Sequence, residues 1–315
     1  SLNSVNTLYD SMQSIAITLV LVLGLIILVI SVLYSGQVVM PMKEVAGSIA
    51  MISSGDFNET MQITGYSEAE DISDKFNSML SVLQNLEDAR QEFVSNVSHE
   101  LKTPITSVKV LAESLIGQEN VPVELYQEFM VDINEELERM NKIINDLLTL
   151  VKMDKNASEV NISEVNINEF LEAILKQLQP IADKRNIEMI FESVRSVTAQ
   201  VDEVKLAMAF RNLIENAIKY NYDNGWVRVS LNADHKFFYL KVSDSGVGIP
   251  EELQDSIFER FYRVDKARSR ETGGNGLGLA ITRNAILLHR GSIKVHSIEQ
   301  QGTTFAVRIP LMYSE

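Results

Sequence analysis

Hydrophobic residues along this chain obey three rules in turn: an unbroken apolar run, then apolar positions spaced three and four apart, then a mixture of alternating and helical periods. The unbroken run is Ile15 to Leu33, which carries no charge. As a helix it measures about 28 Å, close to the apolar thickness of a bilayer. A secretory signal has a basic leading segment and a shorter apolar core. Here Asp10 precedes the run and no Lys or Arg does, so the pattern predicts a transmembrane helix over 15–34 after a polar stub, 1–14. The first basic residue beyond it is Lys43 and all that follows is globular in texture, which puts the C-terminal bulk on the cytoplasmic side. Ser1 stands where an initiating Met is expected, so an earlier span and an outside domain are expected ahead of it.

Helical spacing then takes over. Met42, Val45, Ile49 and Ile52 follow Pro41, Ser53-Ser54-Gly55-Asp56 reads as a helix stop, and Phe57, Met61 and Ile63 give an irregular connector to Gly65. A second helix carries Ile72, Phe76, Met79, Leu83 and Leu86. Two short parallel heptad segments beside a membrane span are similar to a HAMP signalling module, here over 35–89, and Phe76-Asn77-Ser78-Met79 fits that family. The period continues through Phe93 to Val97, where two successive steps of four form a stutter. His99 lies off the seam at this phase shift, and Pro104, lacking an amide hydrogen, predicts a kink one turn later. Gly117 ends the helix. After Pro122 a second one holds Tyr126, Met130, Ile133, Leu137, Met140, Ile144, Leu147 and Val151 without a miss. One hairpin cannot bury such seams, whereas two make a four-helix bundle, so residues 90–155 predict a homodimer.

From about Val160 the texture is that of an α+β sandwich, over 160–315. Helices are expected at 168–184, 203–221 and 276–289. Strands are expected near 187–192, 197–201, 226–232, 236–243, 292–297 and 303–309, with antiparallel hairpins at 226–243 and 292–309. Composition narrows the function. With 45% hydrophobic and 23% charged residues the chain is that of a folded protein. A net charge of −15 with no basic run argues against nucleic-acid binding. The absence of cysteine excludes disulfides, thiolate metal sites and a cysteine nucleophile.

Five clusters carry candidate chemistry. His99-Glu100 sets an imidazole beside a carboxylate, with the Thr103 hydroxyl a turn further on. Such a histidine is a plausible nucleophile, although exposed His-Glu pairs are common. Asn212, Asn216 and Lys219 share a helix face ending at Tyr220, which offers amide oxygens for Mg²⁺ and a phosphate partner, or simply a solvated face. Asp244 closes a strand and leads into Gly246 and Gly248, where its carboxylate can accept from an exocyclic amine. Gly274, Gly276, Leu277 and Gly278 open a helix whose N-terminus suits phosphate. This glycine run follows a loop, not a strand, and no GxxxxGK[ST] occurs, so Rossmann and P-loop sites are set aside. Gly302-Thr303-Thr304-Phe305 begins the last strand.

Taken together, these motifs resemble the H, N, G1, F (Phe258 to Arg263), G2 and G3 boxes of membrane-bound sensor histidine kinases of two-component systems, in order. The resemblance covers nearly everything after residue 35. It implies a HisKA-type dimerisation and phosphotransfer hairpin and a Bergerat (GHKL) ATP-binding domain, anchored in a bacterial plasma membrane. It further implies autophosphorylation of His99 from ATP and Mg²⁺, followed by transfer to an aspartate of a response-regulator receiver domain. By the same resemblance Asn216 holds Mg²⁺ with Asn212 nearby, and Asp244, assisted by Thr304, accepts from the adenine amine. Lys219, Tyr220 and Arg263 reach phosphate, and Gly274, Gly276 and Gly278 offer backbone donors. A polar lid, 264–273, closes over the nucleotide, with Phe258 and Phe261 anchoring it. Glu100 fixes the His99 tautomer, and Glu100 with Thr103 matches the E-x-x-T pattern of phosphatase action. Related ATPases place a glutamate base where Asn212 stands, and an amide cannot deprotonate water. The competing readings are an ATP-driven clamp and a HAMP-linked scaffold that binds nucleotide without kinase activity.

Overall fold

A computed structural model describes residues 2–36, 43, 46–47, 67–117, 121–155, 160–264 and 274–313. Most of the first HAMP-like helix, its connector and nearly all of the lid lie outside these residues. The chain divides into two units, 1–94 and 95–315.

In the first unit, helix α1 (Leu2–Tyr34) includes the polar stub as well as the apolar run. Within its stretch Leu8–Tyr34 an 18-residue window reaches a mean hydropathy of 3.2 and is not buried, so the stretch is long and apolar enough to cross a membrane. Helix α2 (Ser67–Ile116) begins in this unit. Here Leu80 is buried while Ile72, Met79 and Leu86, seven residues apart, stay exposed.

In the second unit the remainder of α2 and helix α3 (Val123–Lys155) form the hairpin, with the turn at Gly117 and Pro122 as expected. α2 is assigned as helix through Pro104, whose missing amide hydrogen leaves the Glu100 carbonyl without its usual partner. The apolar seam of α3 splits. Ile133, Met140 and Leu147 are half-buried, whereas Tyr126, Met130, Leu137, Ile144 and Val151 are exposed. The fully buried positions are instead Ile143, Leu150 and Met153, and the last two join the core of the C-terminal domain.

That domain begins with β1 (Ser163–Asn166), a strand too short to show a period. Then come α4 (Ile167–Asp183), β2 (Glu188–Ser193), β3 (Thr198–Val201), α5 (Glu203–Lys219), β4 (Trp226–Ala233) and β5 (Phe237–Asp244). After two single 3₁₀ turns come α6 (Gly278–Leu288), β6 (Ser292–Ile298) and β7 (Gly302–Pro310). The main sheet runs β2-β4-β5-β7-β6, with β2 parallel to β4 and the other pairs antiparallel. β3 leaves it to pair with β1. Alternation places Val227, Val229 and Leu231 of β4 and Phe238, Leu240 and Val242 of β5 on the covered face. They form one core with Leu206, Phe210, Leu213 and Ile214 of α5 and Ile281, Ala285 and Ile286 of α6.

Asp202 both caps α5 and ties it to the end of α6. The Asp202 side chain caps α5 by accepting from the Lys205 amide (3.0 Å), while the Asp202 amide donates to Nε2 of buried His289, beyond the end of α6, at 2.9 Å. The other ring nitrogen therefore carries the proton, which it donates to the Ala285 carbonyl at 2.7 Å. At the opposite end of α5 the Arg185 guanidinium donates to the carbonyls of Ile218, Lys219 and Asn221 at 2.8–2.9 Å. It supplies partners and positive charge where a helix end lacks both.

Candidate active site

A cavity of about 350 Å³ lies between the C-terminal half of α5, the loop after β5 and the start of α6. Asn212, Asn216, Lys219, Tyr220, Asp244, Gly248, Arg263, Gly274, Gly276 and Gly278 all line it.

At its inner end Asp244 is nearly buried, and Oδ1 accepts from the amides of Gly246 (2.8 Å) and Thr303 (3.3 Å). Its Oδ2 has no hydrogen-bond partner among the described residues, which leaves an acceptor for a ligand N–H. Burial pushes this carboxyl up to about 6, against the two amides that favour the anion. The loop is tight because glycines admit it. A Cβ on Gly302, whose φ is +113°, would stand 1.9 Å from the Asp244 carbonyl oxygen, and one on Gly246 2.3 Å from that of Tyr220.

At the other end the charges are positive. Lys219 is pushed down to about 8, first by burial and then by the nearby charge of Lys142, with smaller effects from Arg263 and Arg139 opposing Glu215. An anion in the cavity would relieve this depression, because an opposite charge favours the protonated amine. Its Nζ lies 5.0 Å from the centroid of the Tyr220 ring. Asn212 Nδ2 donates to the Gly278 carbonyl (3.2 Å) and so joins α5 to α6. The Asn216 side chain has no hydrogen-bond partner among the described residues, and an amide oxygen facing a polar cavity is a suitable ligand for Mg²⁺, which takes one or two protein oxygens and completes its shell with phosphate and water. The described residues hold no group of three or more acidic or histidine side chains that could cage a metal without such help.

Three expected ligand contacts fall elsewhere. The Thr304 hydroxyl donates to Ser243 Oγ (2.9 Å) on the outer face of the sheet, and Thr303, one residue earlier, lines the cavity. The period of two in a strand makes that single-residue difference a change of face. Leu277 is a core residue whose amide donates to Asn275 Oδ1 (3.1 Å). Gly246 orients Asp244 and does not line the cavity. The sequence reading also missed a whole wall. Lys142 and Asp146 of α3 line the cavity, and Asn275 Nδ2 donates to Asp146 Oδ2 at 2.6 Å. In sequence they are a charged pair four residues apart, indistinguishable from a solvated helix face.

His99 is exposed, in a separate shallow groove with Lys102, Thr103, Thr106 and Ser107. The Thr103 hydroxyl donates to the His99 carbonyl at 3.2 Å. Glu100 was expected to hold the His99 ring; successive helical residues diverge by about 100°, and Glu100 Oε2 instead lies 3.9 Å from Nη1 of Arg263. The Arg263 side chain is largely buried and lines the nucleotide-sized cavity, so this ion pair links the two sites.

Comparison with known proteins accords with this geometry. Residues 89–156 match the family model for the His Kinase A (phospho-acceptor) domain. Residues 201–312 match that for histidine kinase-, DNA gyrase B- and HSP90-like ATPases. The chain is 36% identical over 281 residues to the sensor protein kinase WalK of Staphylococcus epidermidis, covering 88% of this chain and 44% of that protein. It is 32% identical over 310 residues to the signal transduction histidine-protein kinase ArlS of Staphylococcus aureus, covering 98% of this chain and 68% of that one. It thus spans less than half the length of the WalK proteins of Staphylococcus epidermidis and Staphylococcus saprophyticus. Among solved structures, histidine kinase ThkA in complex with response regulator TrrA superposes with a TM-score of 0.59 at 24% identity, over 72% of this chain and 64% of that one, a likeness of fold. From the order of its motifs, the two matching domain models and these relatives, the chain belongs to the transmembrane sensor histidine kinases of two-component systems.

Proposed function

We propose that this chain phosphorylates itself on His99 from ATP and passes the phosphoryl group to an aspartate of a response-regulator receiver domain. The observation that carries the reading is the Arg263–Glu100 contact, which ties the cavity for nucleotide to the helix turn bearing an exposed imidazole. Asp244 Oδ2 accepts from the adenine amine. Lys219 and Arg263, with the amides at the start of α6, hold the phosphates. Asn216 would hold Mg²⁺, which would supply neutralisation of the triphosphate charge. A ring nitrogen of His99 forms a bond to the γ-phosphorus as the bond from that phosphorus to the β–γ bridging oxygen breaks, and ADP leaves. Positioning and charge neutralisation supply most of such a transfer. Asn212 contributes by omission, since it cannot activate water at the γ-phosphate.

The exposed residues Tyr126, Met130, Leu137, Ile144 and Val151 on α3 suit a second copy, giving a dimeric four-helix bundle. The domains follow as a membrane helix over 15–34 with the catalytic part cytoplasmic, a HAMP module over 35–89, the hairpin over 90–155 and the ATP-binding domain over 160–315. The same hairpin acts as a phosphatase toward the phosphorylated regulator, with Thr103 positioning water. The test is incubation of the membrane-inserted chain with γ-labelled ATP. An acid-labile, alkali-stable label absent from His99→Ala supports the reading; steady ATP turnover without label overturns it. Thr103→Ala is expected to keep the label and lose dephosphorylation of the regulator; unchanged dephosphorylation excludes the phosphatase role.

A further inference from the structure

The wall that α3 contributes to the cavity does not belong to the ATP-binding domain at all. Asp146 is half-buried, and its carboxylate sits against Asn275, whose Oδ1 also accepts from the Leu277 amide just before α6. A carboxylate at the positive end of a helix, bordered by Lys142 and Lys219, occupies an environment suited to phosphate. Four and seven residues further along α3, Leu150 and Met153 are inserted in the core of the C-terminal domain, so the helix is docked there by packing as well as by this bond.

We propose that Asp146 is a tethered anion: it holds the glycine-rich phosphate loop against the hairpin through Asn275, and the triphosphate of an incoming nucleotide displaces it. The inference rests on the nucleotide reading of the cavity and adds to it a competition between the protein's own carboxylate and the ligand. Desolvation works in the same direction. Burial raises the Asp146 carboxyl above its ordinary range, opposed by the Asn275 amide and by Lys142, so the anion is held at a cost that its departure relieves. Displacement frees Asn275 and removes one of the bonds that keep the ATP-binding domain on α3. The number of phosphates on the nucleotide thereby governs how firmly that domain is docked.

The experiment is calorimetric titration of the whole chain with Mg²⁺ and a non-hydrolysable ATP analogue, ADP or adenosine, in wild type and Asp146→Asn. Asparagine keeps an oxygen for the Asn275 amide and removes the charge. Affinity for the ATP analogue should rise by roughly tenfold, ADP less, and adenosine not at all. Asp146→Ser, which removes charge and reach together, should show the same ranking and guards against a peculiarity of the asparagine. Amide exchange across 142–150 should quicken in wild type when the analogue binds. Equal or weaker binding of the analogue by both variants overturns the proposal, as does unchanged exchange. If wild type binds neither the analogue nor adenosine, the nucleotide reading itself has failed, which is a separate outcome.

Discussion

The hairpin and the ATP-binding domain solve the problem of burying apolar surface in opposite ways. The C-terminal domain closes on itself: Phe210, Phe238 and Leu206 are fully buried within a single chain. The hairpin does not; Tyr126, Met130, Leu137, Ile144 and Val151 remain exposed along one side of α3. Ionisable groups differ in the same sense. Around the cavity Asp244, Lys219 and Asp146 are all displaced from their ordinary ranges by burial, whereas His99 is open to solvent. The desolvated groups gather around the cavity, one of them lent by α3 of the hairpin, while the His99 ring stands on an open helix face.

The contrast is broken most sharply by truncating one large side chain on each side. Phe210→Ala should cost about 3–5 kcal/mol of stability and unfold the ATP-binding domain well below the wild-type temperature. Leu137→Ala should leave that transition in place and lower the concentration-dependent stability of the proposed dimer by ~1–2 kcal/mol, as read by calorimetry and sedimentation. A common loss of the same transition in both would mean that the two regions are one cooperative unit.

A smaller effect separates recognition from stability at Asp244. Asp244→Asn removes a charged acceptor and should weaken adenine nucleotide binding by roughly 10–100-fold. The native carboxyl is raised to about 6, so its contribution to stability is present below the ordinary value of 3.8 and lost as pH rises through about 6. The variant should therefore melt above wild type at pH 8 and together with it near pH 4. A variant less stable than wild type at pH 8 would contradict the desolvation argument.

The mildest effect is that of pH on phosphate binding. Lys219 is depressed to about 8, so in the unliganded protein its contribution to stability is present above 10.5 and lost as pH falls through about 8. A bound triphosphate restores the proton. ATP should bind with proton uptake between pH 8 and 9, seen as a dependence of the calorimetric heat on the buffer's ionisation enthalpy, and Lys219→Met should abolish that uptake.

How much of this was readable beforehand follows the same division. The seams of α2 and α3 and the turn at Gly117 and Pro122 are local patterns, and they appear in the sequence as periods. The sandwich was readable too, since β4, β5, β6 and β7 alternate and α5 carries a buried stripe. β1 was not, because Ser163–Asn166 is too short for a period and gains its identity from β3, more than thirty residues away. Thr303 and Thr304 differ only in which face of β7 they occupy, and that is set by pairing with Ser243 and not by composition. Asp146 and Lys142 join the site through tertiary packing alone. The split of the α3 seam has the same cause: Leu150 is buried because the ATP-binding domain lies on it, information that no periodicity contains.

That helix carries an evolutionary consequence. Within three turns α3 commits Ile143, Leu150 and Met153 to the interior, leaves Ile144, Leu148 and Val151 as an apolar stripe, and turns Lys142 and Asp146 toward the cavity. A substitution there is judged on several sides at once, so among descendants of this chain α3 should diverge slowly between 142 and 153. The outward positions of α2 around His99, such as Lys102 and Thr106, answer to fewer neighbours. Lineages that acquire new signalling partners have room to change there while the nucleotide machinery stays fixed.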